Sequence, residues 1–126
     1  VMATRLGYSL DEMYEKAKCG QPLAISSMCT VFAESEVISL IGQGESKDHI
    51  AYAVVESIIG KVVSQSGRLS LGKETICLTG GLCGCDYIRR RLSEKLMLPV
   101  YTDENGRFAG AIGAAVSAMK VKKKSA

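Results

Sequence analysis

Between Ile50 and Val63 the apolar residues Ile50, Ala51, Val54, Val55, Ile58, Ile59, Val62 and Val63 recur at helical spacing and cover more than one face. A helix that is apolar over so wide an arc is buried on two sides. Other helices must therefore flank it, and the preceding sequence supplies them. VMATRLG is helix-compatible and closes at Gly7, and Ser9-Leu10-Asp11-Glu12 is a capping box that opens a helix ending near Cys19-Gly20. Pro22 keeps QPLAISS extended, a third helix runs from about Thr30 to Gly42, and Ser46 or Asp48 caps the wide-faced helix, which reaches about Ser66.

Beyond residue 70 the period changes. Glu74 to Thr79 (ETICLT) is a short apolar run with β-branched residues bounded by Gly-Gly, and reads as a buried strand. A helix over about Asp86 to Met97 follows, with Ile88, Leu92 and Leu96 at spacing four. Pro99 to Thr102 is a second strand, and a loop through Asn105-Gly106 leads to a last helix. Strand, helix, strand, helix predicts a parallel βαβα unit with a right-handed crossover. Two strands do not complete a sheet, so further strands are expected from elsewhere.

With 126 residues the chain is sized for a single domain. Its expected parts are a mostly helical stretch 1–70, the βαβα unit 71–120 and a basic tail 121–126. A 47% apolar, 23% charged composition excludes a disordered chain. The net charge of +3 comes largely from KVKKK at 120–124 and from Arg89, Arg90 and Arg91, and reads as solvated surface; no nucleic-acid partner is expected. No apolar run approaches the roughly 20 residues of a membrane span, so no membrane partner is expected either. Five cysteines, an odd number with no signal peptide before them, argue against a disulfide framework and for a reduced, cytoplasmic protein. The first helix lacks an N-cap residue, which reads as a helix cut in the middle and as a piece of something longer.

Four places could carry chemistry. Thr79-Gly80-Gly81 ends the first strand, and ligands of open α/β sheets gather at such carboxyl ends; a tight turn with no ligand is the plainer alternative. In FAGAIGAAVSAMK, Gly110, Gly113, Ala114 and Ser117 form a stripe of small residues. Each helical glycine costs about 1 kcal/mol relative to alanine, so the stripe implies close approach of a helix, a sheet or a ligand. In SSMCTVFAESEV, Glu34 shares a face with Val37, Ile38 and Ile41, whereas Glu36 points nearly the opposite way, to solvent. The two are no catalytic pair, and Glu34 needs a partner or a cleft. Cys29 precedes the first turn of that helix, where amides and dipole favour a thiolate able to bind a soft metal or an iron–sulfur cluster. On chemistry alone an inert, half-buried cysteine is favoured. Cys83-Gly84-Cys85 is too closely spaced for a CxxC chelate, His49 reads as surface, and GQGESKD at 42–48 follows a helix rather than a strand and is no phosphate loop.

CTVFAESEVISLIGQG, then CLTGG, then GRFAGAIGAAVSAMK, in this order and separation, resemble the C-terminal half of the 2-hydroxyacyl-CoA dehydratase activators. These belong to the BadF/BadG/BcrA/BcrD ATPase family, which also includes benzoyl-CoA reductase subunits. The resemblance runs from Met2 to about Lys120. The cysteine-led motif is specific to the family, while TGG and the small-residue helix are shared with the wider actin, hexokinase and Hsp70 superfamily.

The resemblance implies an α/β, actin-like ATPase fold of two ribonuclease H-like halves with ATP or ADP and Mg2+ between them. It further implies a homodimer bridged by one [4Fe–4S] cluster, held by two cysteines from each subunit. ATP binding and hydrolysis would drive a low-potential electron into a partner dehydratase or reductase. Cys29 matches one cluster cysteine, Thr79, Gly80 and Gly81 match the adenosine-contacting turn, and the Gly110/Gly113 helix packs below it. Cys19, Cys77, Cys83 and Cys85 match no family ligand, and no catalytic residue is assigned. The second cluster cysteine, the phosphate loops and the magnesium-handling acids have no counterpart in these residues. The chain is thus expected to be a C-terminal portion that is inactive by itself. The alternatives are a non-redox ATP-binding domain of the sugar-kinase and actin-like superfamily, in which Cys29 is structural, and a non-catalytic dimerisation module.

Overall fold

Ser9 and Glu12 set the frame of the first helices. The Glu12 amide donates to Ser9 Oγ at 3.2 Å and the Ser9 amide to Glu12 Oε2 at 2.7 Å, the reciprocal capping box expected from the sequence. The computed structural model describes residues 1–26, 30–69 and 75–124. Its elements are α1 (Met2–Leu6), α2 (Leu10–Cys19), α3 (Thr30–Gly42), α4 (Lys47–Ser66), β1 (Ile76–Cys77), α5 (Asp86–Leu96), β2 (Val100–Tyr101), a 3-10 turn (Gly106–Phe108) and α6 (Ala109–Lys124). They fall into two units, Val1–Leu71 and Gly72–Ala126.

In the first unit the core lies where α4 meets its neighbours. Ile50, Ala51, Ala53, Val54, Val55 and Ile59 of α4 are buried, against Met13, Tyr14 and Ala17 of α2, Leu6 of α1 and Ala33 and Val37 of α3. The wide apolar arc is thus used over the first two-thirds of α4. Beyond Ile59 it is not: Val62 is exposed, and no later residue of the helix is buried. Polar contacts tie the ends. Lys47 Nζ donates to the Leu6 carbonyl at 3.0 Å and lies 5.9 Å from the centre of the Tyr8 ring. The Tyr8 hydroxyl donates to Asp48 Oδ1 at 3.2 Å; burial, then this bond, raises the pKa of the phenol. Ser46 is the N-cap of α4 but its hydroxyl makes no capping bond. Glu45 instead accepts from the Ser46 amide and pairs with His49 Nδ1 at 2.9 Å, so His49 is half-buried and engaged.

Three helices end alike. After α1, Tyr8 N–H reaches Ala3 O and Gly7 N–H reaches Thr4 O; after α3, Glu45 and Gly44 reach Leu40 and Ile41; after α5, Leu98 and Met97 reach Ser93 and Glu94. This is the Schellman arrangement, which needs a left-handed residue. Gly7 and Gly44 provide it, but after α5 the position is held by Met97, at φ 53°.

Among the described residues the second unit holds one parallel pair, with Ile76 opposite Val100 and Cys77 opposite Tyr101. The expectation of a parallel pair with an intervening helix holds, whereas that of a buried strand does not. Described β1 spans two residues, with Ile76 half-buried and Cys77 exposed; α5, which buries Ile88 and Leu92, packs against β2, whose Val100 is buried. The start of the predicted strand, Glu74, lies outside the described residues.

Gly20 decides how closely α2 approaches α4. A Cβ built there would stand 2.3 Å from the Asp48 carbonyl oxygen and 2.5 Å from Tyr52 Cβ, against backbone that cannot swing aside. Gly60, inside α4, meets nothing within 4 Å. Gly20→Ala is therefore expected to destabilise by about 1–3 kcal/mol through overpacking. Gly60→Ala should stabilise by about 0.5–1 kcal/mol through helix propensity. Urea unfolding of the two variants reads both signs; equal effects would contradict the packing described.

Candidate functional site

The carboxyl ends of β1 and β2 are continued by hydrogen bonds rather than by longer strands. Leu78 N–H donates to the Tyr101 carbonyl at 2.8 Å, and Thr102 Oγ1 donates to the Leu78 carbonyl at 3.1 Å. Gly80 then turns left-handed, φ 88°, and its N–H donates to the Gly106 carbonyl at 3.0 Å. Two successive turns, Cys83 N–H to Gly80 O and Cys85 N–H to Leu82 O, both 3.1 Å, deliver the chain into α5. On the other side Asp103 organises the loop, accepting the Asn105 N–H on Oδ1 at 2.8 Å and the Gly106 N–H on its carbonyl at 2.9 Å.

The result is a backbone surface with little above it. Thr79 and Gly81 are exposed, Gly80 is half-buried, and a Cβ on Gly80 or Gly81 would meet nothing within 4 Å. A flat ligand can lie directly on main chain here, as glycine turns at strand ends allow. Gly106 is the buried counterpart: a Cβ there would lie 3.3 Å from Cys83 Sγ and 3.4 Å from Thr102 Oγ1. Arg107 and Phe108 follow it, exposed, with the guanidinium 5.2 Å from the ring centre. The sequence flagged Asn105-Gly106 only as a loop; its role as the acceptor for Gly80 depends on a contact that no local pattern announces.

The N-terminal turn of α5 is electrostatically organised. Asp86 accepts from Arg89 Nε at 3.1 Å and Nη2 at 2.5 Å and pairs with Arg90 Nε at 2.8 Å. Arg89 Nη1 also donates to the Val100 carbonyl at 3.2 Å, which ties the helix to β2. The Arg89 hydrogen bond, ahead of the Arg90 charge, holds the Asp86 carboxyl below its usual range.

The small-residue helix is differently placed. Residues 110–120 of α6 are all exposed, and a Cβ on Gly110 or Gly113 meets nothing within 4 Å. Cys29 lies outside the described residues, but its helix is in place. Glu34 is half-buried and accepts from Arg5 Nε at 2.5 Å, the partner its position called for. Glu36, expected in solvent, is half-buried and accepts from the Ser26 N–H at 3.1 Å and from the Ser26 hydroxyl. It pins the extended segment to the helix, a contact between residues ten apart that helical spacing does not register. None of Cys19, Cys77, Cys83 and Cys85 is in a disulfide. Among the described residues no group of three or more His, Cys, Asp or Glu could hold a metal ion, and no helix is long and apolar enough to cross a membrane.

Residues 1–118 match the model of the BadF/BadG/BcrA/BcrD ATPase family. The chain belongs to this family. It is 37% identical to the activator of lactoyl-CoA dehydratase from Anaerotignum propionicum, over 98% of this chain and 48% of that protein. The crystal structure of Acidaminococcus fermentans (R)-2-hydroxyglutaryl-CoA dehydratase component A superposes with a TM-score of 0.80 at 33% identity, covering 92% of this chain and 45% of that one. The Clostridium difficile activator of 2-hydroxyisocaproyl-CoA dehydratase, solved with bound ADPNP, gives 0.81 at 28% identity, over 98% and 46%. The chain thus spans about half the length of the relatives it matches. The helix-rich α/β, actin-like ATPase fold expected from the sequence is the fold of these structures.

Asp86 provides a check on the site's framework. Its depressed carboxyl contributes stability that is fully present above the unfolded-state pKa of about 3.9. That contribution fades as the pH falls through the lower folded value. Asp86→Asn is expected to lower the Tm at neutral pH, with the gap to wild type closing below pH of about 4. Thermal unfolding across pH 2–7 reads this, and a gap that stays constant would remove the ion pairs from the account.

Proposed function

We propose that this chain carries the adenosine side of a nucleotide site, and one cluster cysteine, of an ATP-dependent activator. Such a protein would deliver a low-potential electron to a 2-hydroxyacyl-CoA dehydratase or a benzoyl-CoA reductase-type enzyme. The observation that carries the reading is the open glycine turn at the carboxyl ends of two parallel strands, held by the Gly80–Gly106 hydrogen bond. Membership of an ATPase family and likeness to an activator solved with ADPNP support it.

In this reading Thr79, Gly80 and Gly81 offer backbone to the flat base and to the ribose, with no side chain standing between. Gly106 fixes the turn so that binding does not have to order it. Gly110 and Gly113 belong to the helix that the family resemblance puts below the turn, and they would keep the start of α6 slim there. The phosphates and Mg2+ are handled by other residues. Cys29, as a thiolate at a helix start, would be one ligand of a [4Fe–4S] cluster shared across a homodimer. When bound, that cluster would supply one-electron transfer. Ser26 and Glu36 hold the segment that leads to Cys29, and the Arg5–Glu34 pair braces the same helix against α1.

Calorimetric titration with ADP tests the nucleotide side. Gly81→Val places a branched side chain over the open surface without a left-handed penalty, and affinity is expected to fall at least tenfold while the fold, read by circular dichroism, is kept. Unchanged affinity would remove Thr79-Gly80-Gly81 from the site. The redox side is tested by anaerobic reconstitution with iron and sulfide. This chain alone is expected not to assemble the cluster. In the longer protein of this reading, which supplies the second cluster cysteine, a brown, iron-containing product is expected, with the iron lost in Cys29→Ser. A colourless protein that still binds ADP would favour the non-redox reading, and one that binds neither would leave the dimerisation module.

A further inference from the structure

Cys83 and Cys85 are unused by the reading above, and both sit in the turn that the site depends on. Cys83 is 5% exposed, and its sulfur is the nearest atom to the position a Cβ of Gly106 would take, at 3.3 Å. Cys85 is half-buried and is the N-cap residue of the 11-residue α5, where no side chain caps the helix. The Cys85 N–H to Leu82 O bond makes Cys83 and Cys85 the second and fourth residues of one turn. Two residues apart, their Cα atoms are at most about 7 Å apart even when extended. A turn brings them nearer, into the roughly 4.4–6.8 Å that a disulfide spans. A Cβ built on Gly84 between them would meet nothing within 4 Å, so no neighbour packs against that position of the turn.

We propose that Cys83 and Cys85 form a reversible dithiol–disulfide switch whose oxidation loosens the Gly80–Gly106 turn and weakens nucleotide binding. The consequence for nucleotide rests on the function proposed above; the switch itself does not. The oxidant is a low-molecular-weight disulfide. The Cys85 thiolate, at the N-cap of α5, attacks one sulfur of the oxidant and expels one thiolate. The Cys83 thiolate then attacks Cys85 Sγ and expels the second. The two protons lost by the cysteines end on the two released thiols, so a dithiol and a disulfide give an intrachain disulfide and two thiols. Closing the bridge ties Cys83 Sγ, now the nearest atom to the Cβ position of Gly106, to Cys85 instead, and the coupling proposed here is that the sulfur leaves its place beside Gly106. It thereby withdraws its packing from the residue whose carbonyl holds Gly80. So short a bridge is strained, and strained disulfides are the readily reduced, regulatory ones.

The test uses the full chain carrying Cys77→Ser, because Cys77 lies in the same tryptic peptide, residues 74–89. The protein is equilibrated anaerobically with glutathione and glutathione disulfide at stepped ratios, alkylated, digested and weighed. The expected result is an unalkylated peptide two hydrogens lighter, restored by dithiothreitol and absent in Cys85→Ser. ADP affinity should fall at least tenfold on oxidation, and Cys85→Ser should not respond. Failure of the bridge to form, or a glutathione adduct in its place, overturns the switch; a bridge that leaves both ADP affinity and Gly80 amide exchange unchanged overturns the coupling. Should the reduced protein bind no ADP, the functional reading falls, and Gly80 exchange alone decides: faster on oxidation supports the coupling, unchanged overturns it.

Discussion

One backbone hydrogen bond, from Gly80 N–H to the Gly106 carbonyl, joins the loops that leave the two strands of the second unit. The strand pairing beneath it is short, since β1 and β2 share a register of two residues. Leu78, Thr102 and Gly80 extend the connection one bond at a time, so that a ladder of minimal length ends in a defined turn. The left-handed φ of Gly80 favours glycine, and with Gly81 after it two successive residues carry no side chain, so that main chain itself becomes the surface on offer. What the site presents is therefore determined by loop closure more than by sheet.

The first unit rests on a different constraint, a close helix crossing. Gly20 lets α2 run against Asp48 and Tyr52 of α4, and the apolar arc of α4 is distributed among three neighbours. Polar pairs at the periphery then fix directions. Arg5 with Glu34, Tyr8 with Asp48 and Glu36 with Ser26 each link segments that are not consecutive helical turns. Individually such partly exposed pairs are worth little. Their value lies in joining α1 to α3, Tyr8 to α4, and the extended segment at Ser26 to α3.

Much of this was legible in the sequence because it is local. The capping box at Ser9 and Glu12, the bounds of α3, the stop at Gly7 and the strand–helix–strand order follow from short-range chemistry, and the structure repeats them. Glu34 shows how far periodicity reaches: a carboxylate on an apolar stripe demands a partner, but only the fold names Arg5. Glu36 shows where periodicity fails, since a residue on the outer face of its own helix is recruited by an extended segment ten residues earlier. Gly106 was illegible for the same reason, because its task is set by Gly80, 26 positions away. The left-handed Met97 escaped notice because the turn after α5 uses a methionine where glycine is the usual choice.

The uneven burial of α4 bears on how the chain moves. A 20-residue helix is about 30 Å long, and here its packed part stops at Ile59, with Gly60 immediately following. The final turns keep their backbone bonds without a core to hold them, and a glycine weakens the junction. One continuous helix thus contains a boundary at Gly60: before it the helix carries fully buried residues, and after it at most half-buried ones, which is the pattern expected of a segment that opens locally before the core does.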